Sequence, residues 1–330
     1  MDLQIRLMQK EDAPGVVELY RAVYGDHYPV TSVYDAEALF AAQEAGDFFR
    51  ALALVDGRVV GQTAAYRSDS PNRQLYEIGQ GIVLKDYRNQ DLLNKTMDCL
   101  HQEVCPGADI QMLWGESVCN HVFVQKACLR LGHEFTGIEI DLMPAEAYEK
   151  EKSSKGRVST VLGFKVKDGM RRRVHVHPAY GDILPWLYEG LNLSRDFVAA
   201  ASPLTDTQSR VMENLYAGAG VARFTFFELG GDFRTVLKEK EKEAVDQGCT
   251  VIQAFLDLSR PEVIPALEIL RHQAYFLGGV LPCWYGEDGI LMQKLLHEPN
   301  LSGIKLYGER AEAILAALLK DREATRKSRL

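Results

Sequence analysis

No stretch of the 330-residue sequence approaches the roughly 20 consecutive apolar residues of a membrane-spanning helix. The opening residues, MDLQIRLMQKEDAP, carry acids and no apolar centre, so they do not read as a secretory signal. The six cysteines (Cys99, Cys105, Cys119, Cys128, Cys249 and Cys283) include no C-x-x-C pair. Buried, reduced thiols in a cytoplasmic protein are therefore expected, with no membrane partner. Excess positive charge is also missing. The formal net charge is −8, which argues against nucleic acid as a partner. What is present is a globular composition, 46% hydrophobic and 25% charged, with apolar material enough for two cores.

Hydrophobic periodicity divides the first half into alternating elements. LQIRLM reads as a strand. Val16, Val17, Leu19, Tyr20 and Val23 recur at helical spacing behind Asp12, a candidate cap. DAEALFAAQEAG is a second helix, stopped by Gly46. FFRALALVDGRVVGQTAAYR is a hairpin turning at Asp56-Gly57, followed by the strand LYEIGQGIVL. A helix (NQDLLNKTMDCLHQEVC, ending near Pro106-Gly107), a strand (DIQMLWGES), a helix (CNHVFVQKACLRLG) and two strands complete the half. The last two strands flank the charged loop EAYEKEKSSKG, read as solvated. This order predicts a mixed α/β fold.

The second half echoes the first. RRVHVHPAYGDILPWLYEGL repeats the strand–helix opening, with Leu187-Tyr188 in the place of Leu19-Tyr20. Phe276-Leu277-Gly278 stands where Phe135-Thr136-Gly137 stands. Two copies of one fold are expected, 1–168 and 169–330, with the first the more complete.

One segment carries a ligand signal. In EIGQGIVLKDYRNQDLLNK, a strand interrupted by Gly79 and Gly81 leads through Tyr87-Arg88 into a helix start. Helix N-termini present unpaired N–H groups suited to phosphate, and Arg88 adds a bidentate donor. A kink at the two glycines would splay the strand from its neighbour and open a slot. Tyr87-Arg88 followed by Asn89-Gln90-Asp91-Leu92-Leu93, together with the element order, resembles the GNAT N-acyltransferase superfamily and its R/Q-x-x-G-x-G/A loop. Asp91 and Leu93 replace the loop's glycines. Aligned on Gly132, His121, Cys128 and His133 stand at the family's Asn, Tyr and Phe positions.

The resemblance implies two GNAT-like folds in tandem and transfer of acetyl from acetyl-CoA, or another acyl-CoA, to a primary amine on a small molecule or peptide. It implies a cofactor-binding set of Ile82, Val83, Leu84, Arg88, Asn89, Gln90, Asp91, Leu92, Leu93 and His121. The N–H near Ile82 would face the thioester oxygen. Glu77 and Glu116 are base candidates, and Cys128 occupies the acid position. No metal is expected, and a homodimer is open. His175 and His177 share a strand face at a spacing metals can use, but no third ligand is evident. Arg171 to Arg173 read as solvated charge, and the Gly230-Gly231-Asp232 copy as structural. The alternative is a degenerate pair that binds or senses acyl-CoA, or another small molecule, without turnover.

Overall fold

The computed structural model describes residues 2–26, 28, 30–104, 112–145 and 156–327. Cys105, Pro106-Gly107 and most of the charged loop lie outside them. The fold is mixed α/β, and the chain separates into two compact units, Met1–Gly115 and Glu116–Leu330. Among the described residues, no helix is long and apolar enough to cross a membrane.

In the first unit, β1 (Leu3–Leu7), β2 (Phe48–Val55), β3 (Arg58–Tyr66), β4 (Leu75–Val83) and β5 (Met112–Val118, entering the second unit at Glu116) lie side by side in that order. Helices α1 (Ala13–Tyr24) and α2 (Ala36–Glu44) cover one face. Val16, Val17, Leu19 and Tyr20 of α1 pack there with Leu52, Leu54, Val59 and Ile82. Helix α3 (Leu92–Cys99) covers the other, where Leu92 meets Ala53, Val55 and Val60. The Asp56-Gly57 turn has φ of 49° and 80°, the left-handed pair that a tight hairpin needs. Asp35 caps α2, accepting from the N–H groups of Glu37 and Ala38. Asp12 does not cap α1 through its side chain. Its carboxylate turns back to Arg6 and to the N–H of Gln9.

The second unit adds α4 (Phe123–Arg130), β6 (Glu134–Met143), β7 (Val158–Val166), β8 (Arg172–His175), α5 (Ile183–Tyr188), β9 (Arg195–Val198), β10 (Arg210–Tyr216), β11 (Val221–Glu228), α6 (Phe233–Asp246), β12 (Val251–Asp257), α7 (Val263–His272), β13 (Phe276–Leu281), β14 (Gly289–Leu295) and α8 (Glu309–Lys327). Its main sheet runs β7-β6-β13-β14-β12-β11-β10. The expected repeat is visible in element order and pairing. The series β3-β4-α3-β5-α4-β6-β7 recurs as β10-β11-α6-β12-α7-β13-β14. In each series an antiparallel pair precedes a parallel one, and an antiparallel pair closes it. The repeat's opening departs from expectation. β8 and β9 form a separate parallel two-stranded sheet, because no hairpin turn follows β8.

Strands β6 and β13 meet at Gly137↔Gly279. A Cβ on Gly279 would fall 2.5 Å from the Gly137 Cα, and φ there is +152°. Helix α8 packs on both strands. Arg310 donates to the Phe135 carbonyl, and Asp321 accepts from the Leu277 N–H. Arg172, expected to be solvated, is mostly buried between Asp168 and Glu287. Gly279→Ala should cost about 3 kcal/mol, since backbone, not a movable side chain, occupies the space. Gly286→Ala, at φ +82° with open space around it, should cost only about 1–2 kcal/mol. Urea unfolding of the two variants checks the difference.

Candidate functional site

The glycines of β4 do a different job from the one expected. β3 and β4 are in register at Ala64↔Gly79 and again at Gln62↔Ile82, so Thr63 faces two residues, Gln80 and Gly81. This is a β-bulge, and the left-handed residue is Gln80, with φ +52°. A Cβ on Gly79 would lie 2.7 Å from the Tyr66 hydroxyl, and one on Gly81 would lie 2.7 Å from Leu93 Cδ1. Each glycine therefore admits a side chain to one face of the strand. The kink itself is held at Gln80, whose Oε1 accepts from the Tyr20 hydroxyl at 2.8 Å and whose carbonyl accepts from Gln62 Nε2 at 3.2 Å.

The β4–β5 ladder contains Leu75↔Met112, Tyr76↔Leu113 and Glu77↔Trp114, and within the described residues it stops there. β4 continues to Val83, paired with β3. Glu77 sits at the last rung, half-buried, and accepts from the Tyr66 hydroxyl at 2.5 Å.

Beyond β4, Asn89 and Asp91 take φ of 66° and 60°. These residue types tolerate the left-handed conformation that glycine usually supplies, so the loop keeps a glycine-like backbone without glycine. Arg88 and Asn89 form a turn that ends at Gln90, and among the described residues no hydrogen bond takes the N–H groups of Asn89, Asp91, Leu92 or Leu93. Arg88 is exposed, and its Nε donates to the Val83 carbonyl at 3.3 Å. Asn94 donates to the Asp91 carboxylate, and Lys95 reaches the Gln90 carbonyl. The side chains of Ile82 and Leu92 are core, on opposite faces of the sheet, and the Leu84 N–H bonds the Val60 carbonyl. Val83 pairs with Gly61. A cavity of about 240 Å³ elsewhere in this unit is lined by Glu11, Gly15, Glu18 and Arg58, and of the predicted residues by Leu84.

The other candidates belong to the second unit. Glu116 accepts from Arg223 Nη2 at 2.7 Å. Arg223 also donates to Glu139, which accepts from Gln253 and Thr160. Burial, and then the neighbouring Glu116, push Glu139 up to about 8. Cys128 is buried, its Sγ 3.4 Å from Ser117 Oγ, and burial pushes its thiol up. That makes it a packed thiol rather than an exposed acid. His121 is half-buried beside the exposed Phe123 ring, at 5.3 Å between centroids. His175 and His177 are engaged structurally, with the Ala200 carbonyl and with Glu268 and the Ala179 N–H.

The second copy differs at each equivalent point. Its parallel ladder has five rungs, Val221↔Val251 through Thr225↔Phe255, and the third places Arg223 where Glu77 stands. Its loop is filled by the chain itself. Gly231 N–H bonds the Thr205 carbonyl, Gly230 N–H bonds Ser209 Oγ, and Asp232 accepts from the Ser209 N–H.

Sequence reasoning missed Tyr66, Gln80 and Tyr20. The signal for Tyr66 was hairpin register, since it falls opposite Glu77.

No family model matches the sequence, and no curated protein matches it. Among solved structures, a GNAT-family acetyltransferase from Streptococcus pneumoniae is similar over 50% of this chain and 100% of its own, at 16% identity and TM-score 0.41. A ribosomal-protein-S5-alanine acetyltransferase from Vibrio fischeri is similar over 51% and 95%, at 11% identity and TM-score 0.41. An N-acetyltransferase from Staphylococcus aureus Mu50 is similar over 50% and 99%, at 12% and 0.40.

The native state holds a proton on Glu139 more tightly than the unfolded chain does. The stability this contributes is full below the ordinary carboxylate range and fades as pH rises through about 8. Glu139→Gln should therefore flatten the fall in stability between pH 5 and 8, measured by urea unfolding at several pH values.

Proposed function

We propose that the chain is an acyl-CoA-dependent N-acyltransferase that moves an acetyl group from acetyl-CoA to a primary amine, using the N-terminal copy, 1–168. The carrying observation is the contrast between the copies. Among the described residues, the β4–β5 ladder ends at Glu77↔Trp114 and the N–H groups of Asn89, Asp91, Leu92 and Leu93 have no protein acceptor, whereas the second copy fills its own loop with Thr205 to Ser209.

The residues fit an acyl-CoA in a definite way. A diphosphate would be met by the N–H groups of the 89–93 loop, which heads α3, and by the guanidinium of Arg88. The end of the β4–β5 ladder leaves β4 backbone beyond Glu77 to face a thioester oxygen. Glu77 accepts the proton that the amine must lose as its nitrogen bonds the acyl carbon and the C–S bond breaks. Tyr66 holds that carboxylate in place through its hydroxyl. The leaving thiolate takes its proton from water or bulk buffer, because Cys128 is buried with its thiol pushed up. The second copy is a structural partner.

A second reading, binding without turnover, draws on Leu93, whose Cδ1 lies against Gly81, and on a thiol at the family's acid position. One set of measurements separates the two. Acetyl-CoA at about 100 times its Kd should add about 2.7 kcal/mol to stability. Arg88→Ala should weaken that binding about tenfold. Glu77→Gln should slow amine acetylation by about 10²-fold or more, leaving acetyl-CoA affinity unchanged. Binding with no acetylation of any amine by the unmodified protein would support the sensor.

A further inference from the structure

The first unit buries a cation whose Nε and Nη1 no acceptor among the described residues satisfies. Arg50, in the middle of β2, is 2% exposed. Among the described residues it forms no ion pair with a carboxylate, and its Nε and Nη1 have no hydrogen-bond partner. Its guanidinium lies 4.5 Å from the Phe48 ring centroid. Burial pulls its pKa down, and the nearby Tyr20 and Tyr28 hydroxyls oppose that. A guanidinium out of water without an acceptor is costly, and proteins seldom keep one without use.

An acceptor without a partner lies one row along the same sheet face. Gln62 is fully buried and its Oε1 has no partner. The amide is fixed, because Nε2 donates to the Tyr20 hydroxyl at 2.8 Å and to the Gln80 carbonyl. Strand register puts these groups on one face of the sheet. Arg50 pairs with Ala64 and Ala64 with Gly79, Leu52 pairs with Gln62, and Phe48, Tyr66 and Glu77 share the row two residues away. Burial pushes the Tyr28 hydroxyl up, and the charges of Glu77 and Arg50 act on it in opposite senses. Its ring packs at 5.0 Å from Tyr20 and 4.9 Å from Tyr24.

A buried donor and a buried acceptor, both without partners among the described residues, lie on the sheet face that bears the carboxylate assigned to the amine. We infer that the acceptor amine carries a carboxylate and is a free amino acid, with Arg50 taking the carboxylate, Gln62 Oε1 accepting from the amine and Glu77 facing the same nitrogen. This rests on the transferase reading for the reaction, but the binding of an amino acid does not. The carboxylate gains a charge-assisted hydrogen bond, and the amine N–H satisfies the stranded amide oxygen. Recognition of this kind discriminates strongly against analogues lacking the group, because they leave the buried partner unpaired.

The test uses the full chain with the twenty proteinogenic amino acids and their α-amides. Calorimetry without acetyl-CoA reads binding, and thiol release with acetyl-CoA reads turnover. At least one amino acid should be preferred over its own amide by about 10²-fold or more. In Arg50→Met that ratio should drop to near one. The variant should melt no lower than the parent, because an unpaired buried charge has been removed. A large loss of melting temperature would make Arg50 a structural cation and overturn the inference. So would equal use of amides and acids while acetylation proceeds, an outcome that leaves the transferase standing. Arg50-dependent binding of an amino acid without acetyl-CoA turnover would do the reverse, sinking the transferase and keeping the ligand.

Discussion

The first unit depends on one irregularity, the bulge at Gln80-Gly81. A strand alternates faces, so a single inserted residue reverses the assignment of everything beyond it. Before the bulge, Glu77 points to the α1 face and meets Tyr66. After it, Ile82 can point to that same face and join the core beneath α1, which strict alternation from Glu77 would forbid. A left-handed Gln costs on the order of 1 kcal/mol or more, and two hydrogen bonds through Tyr20 and Gln62 offset it. The helix α1, through Tyr20, is thereby tied to the shape of the strand that carries the candidate base.

The two copies show what the same element order becomes under different local chemistry. In β11 the residue at the Glu77 rung is Arg223, and a cation there calls for hydrogen-bond acceptors. Glu116 and Glu139 supply them, with Gln253 and Thr160 completing the set. The ladder runs two rungs further, and the loop that could greet an anion is stitched to residues 205 to 209. Interiors satisfy their polar groups wherever the chain can reach them. The second copy has done so at its 230–232 loop, and this closes the loop.

Much of this could be read from the residues. The hairpin at Asp56-Gly57, the helices with 3.6-residue periodicity, the mixed α/β order and the repeat of strand after helix all follow from local patterns that tertiary packing did not override. The 89–93 loop was visible through Tyr87-Arg88, but its backbone was not, because left-handed Asn89 and Asp91 leave no glycine to mark them. The kink lies where the two glycines pointed, at Gln80-Gly81, but its left-handed residue is Gln80 and not a glycine. Glycine signals either unusual φ or close approach, and here it signals Tyr66 and Leu93 approaching. The long α8 escaped notice because its buried positions, Ala311, Ile314 and Leu318, are thinly spread among charges. Arg50 was invisible for a different reason. One arginine within FFRALALV looks like a strand residue facing water, and only burial reveals it.

The handling of arginine elsewhere gives Arg50 its meaning. Arg195 is as deeply buried, yet it donates to both oxygens of Asp288 and to Asp168. Arg223 has two glutamates and a glutamine. Arg271 reaches Asp321 and the Tyr180 hydroxyl. This chain therefore surrounds its buried cations with acceptors whenever their task is structural. The exception lies in the unit with the open loop, on the sheet face that bears Glu77, one row along from an amide oxygen that also has no partner. A matched donor and acceptor on one side of one sheet is the arrangement a bound zwitterion would leave behind.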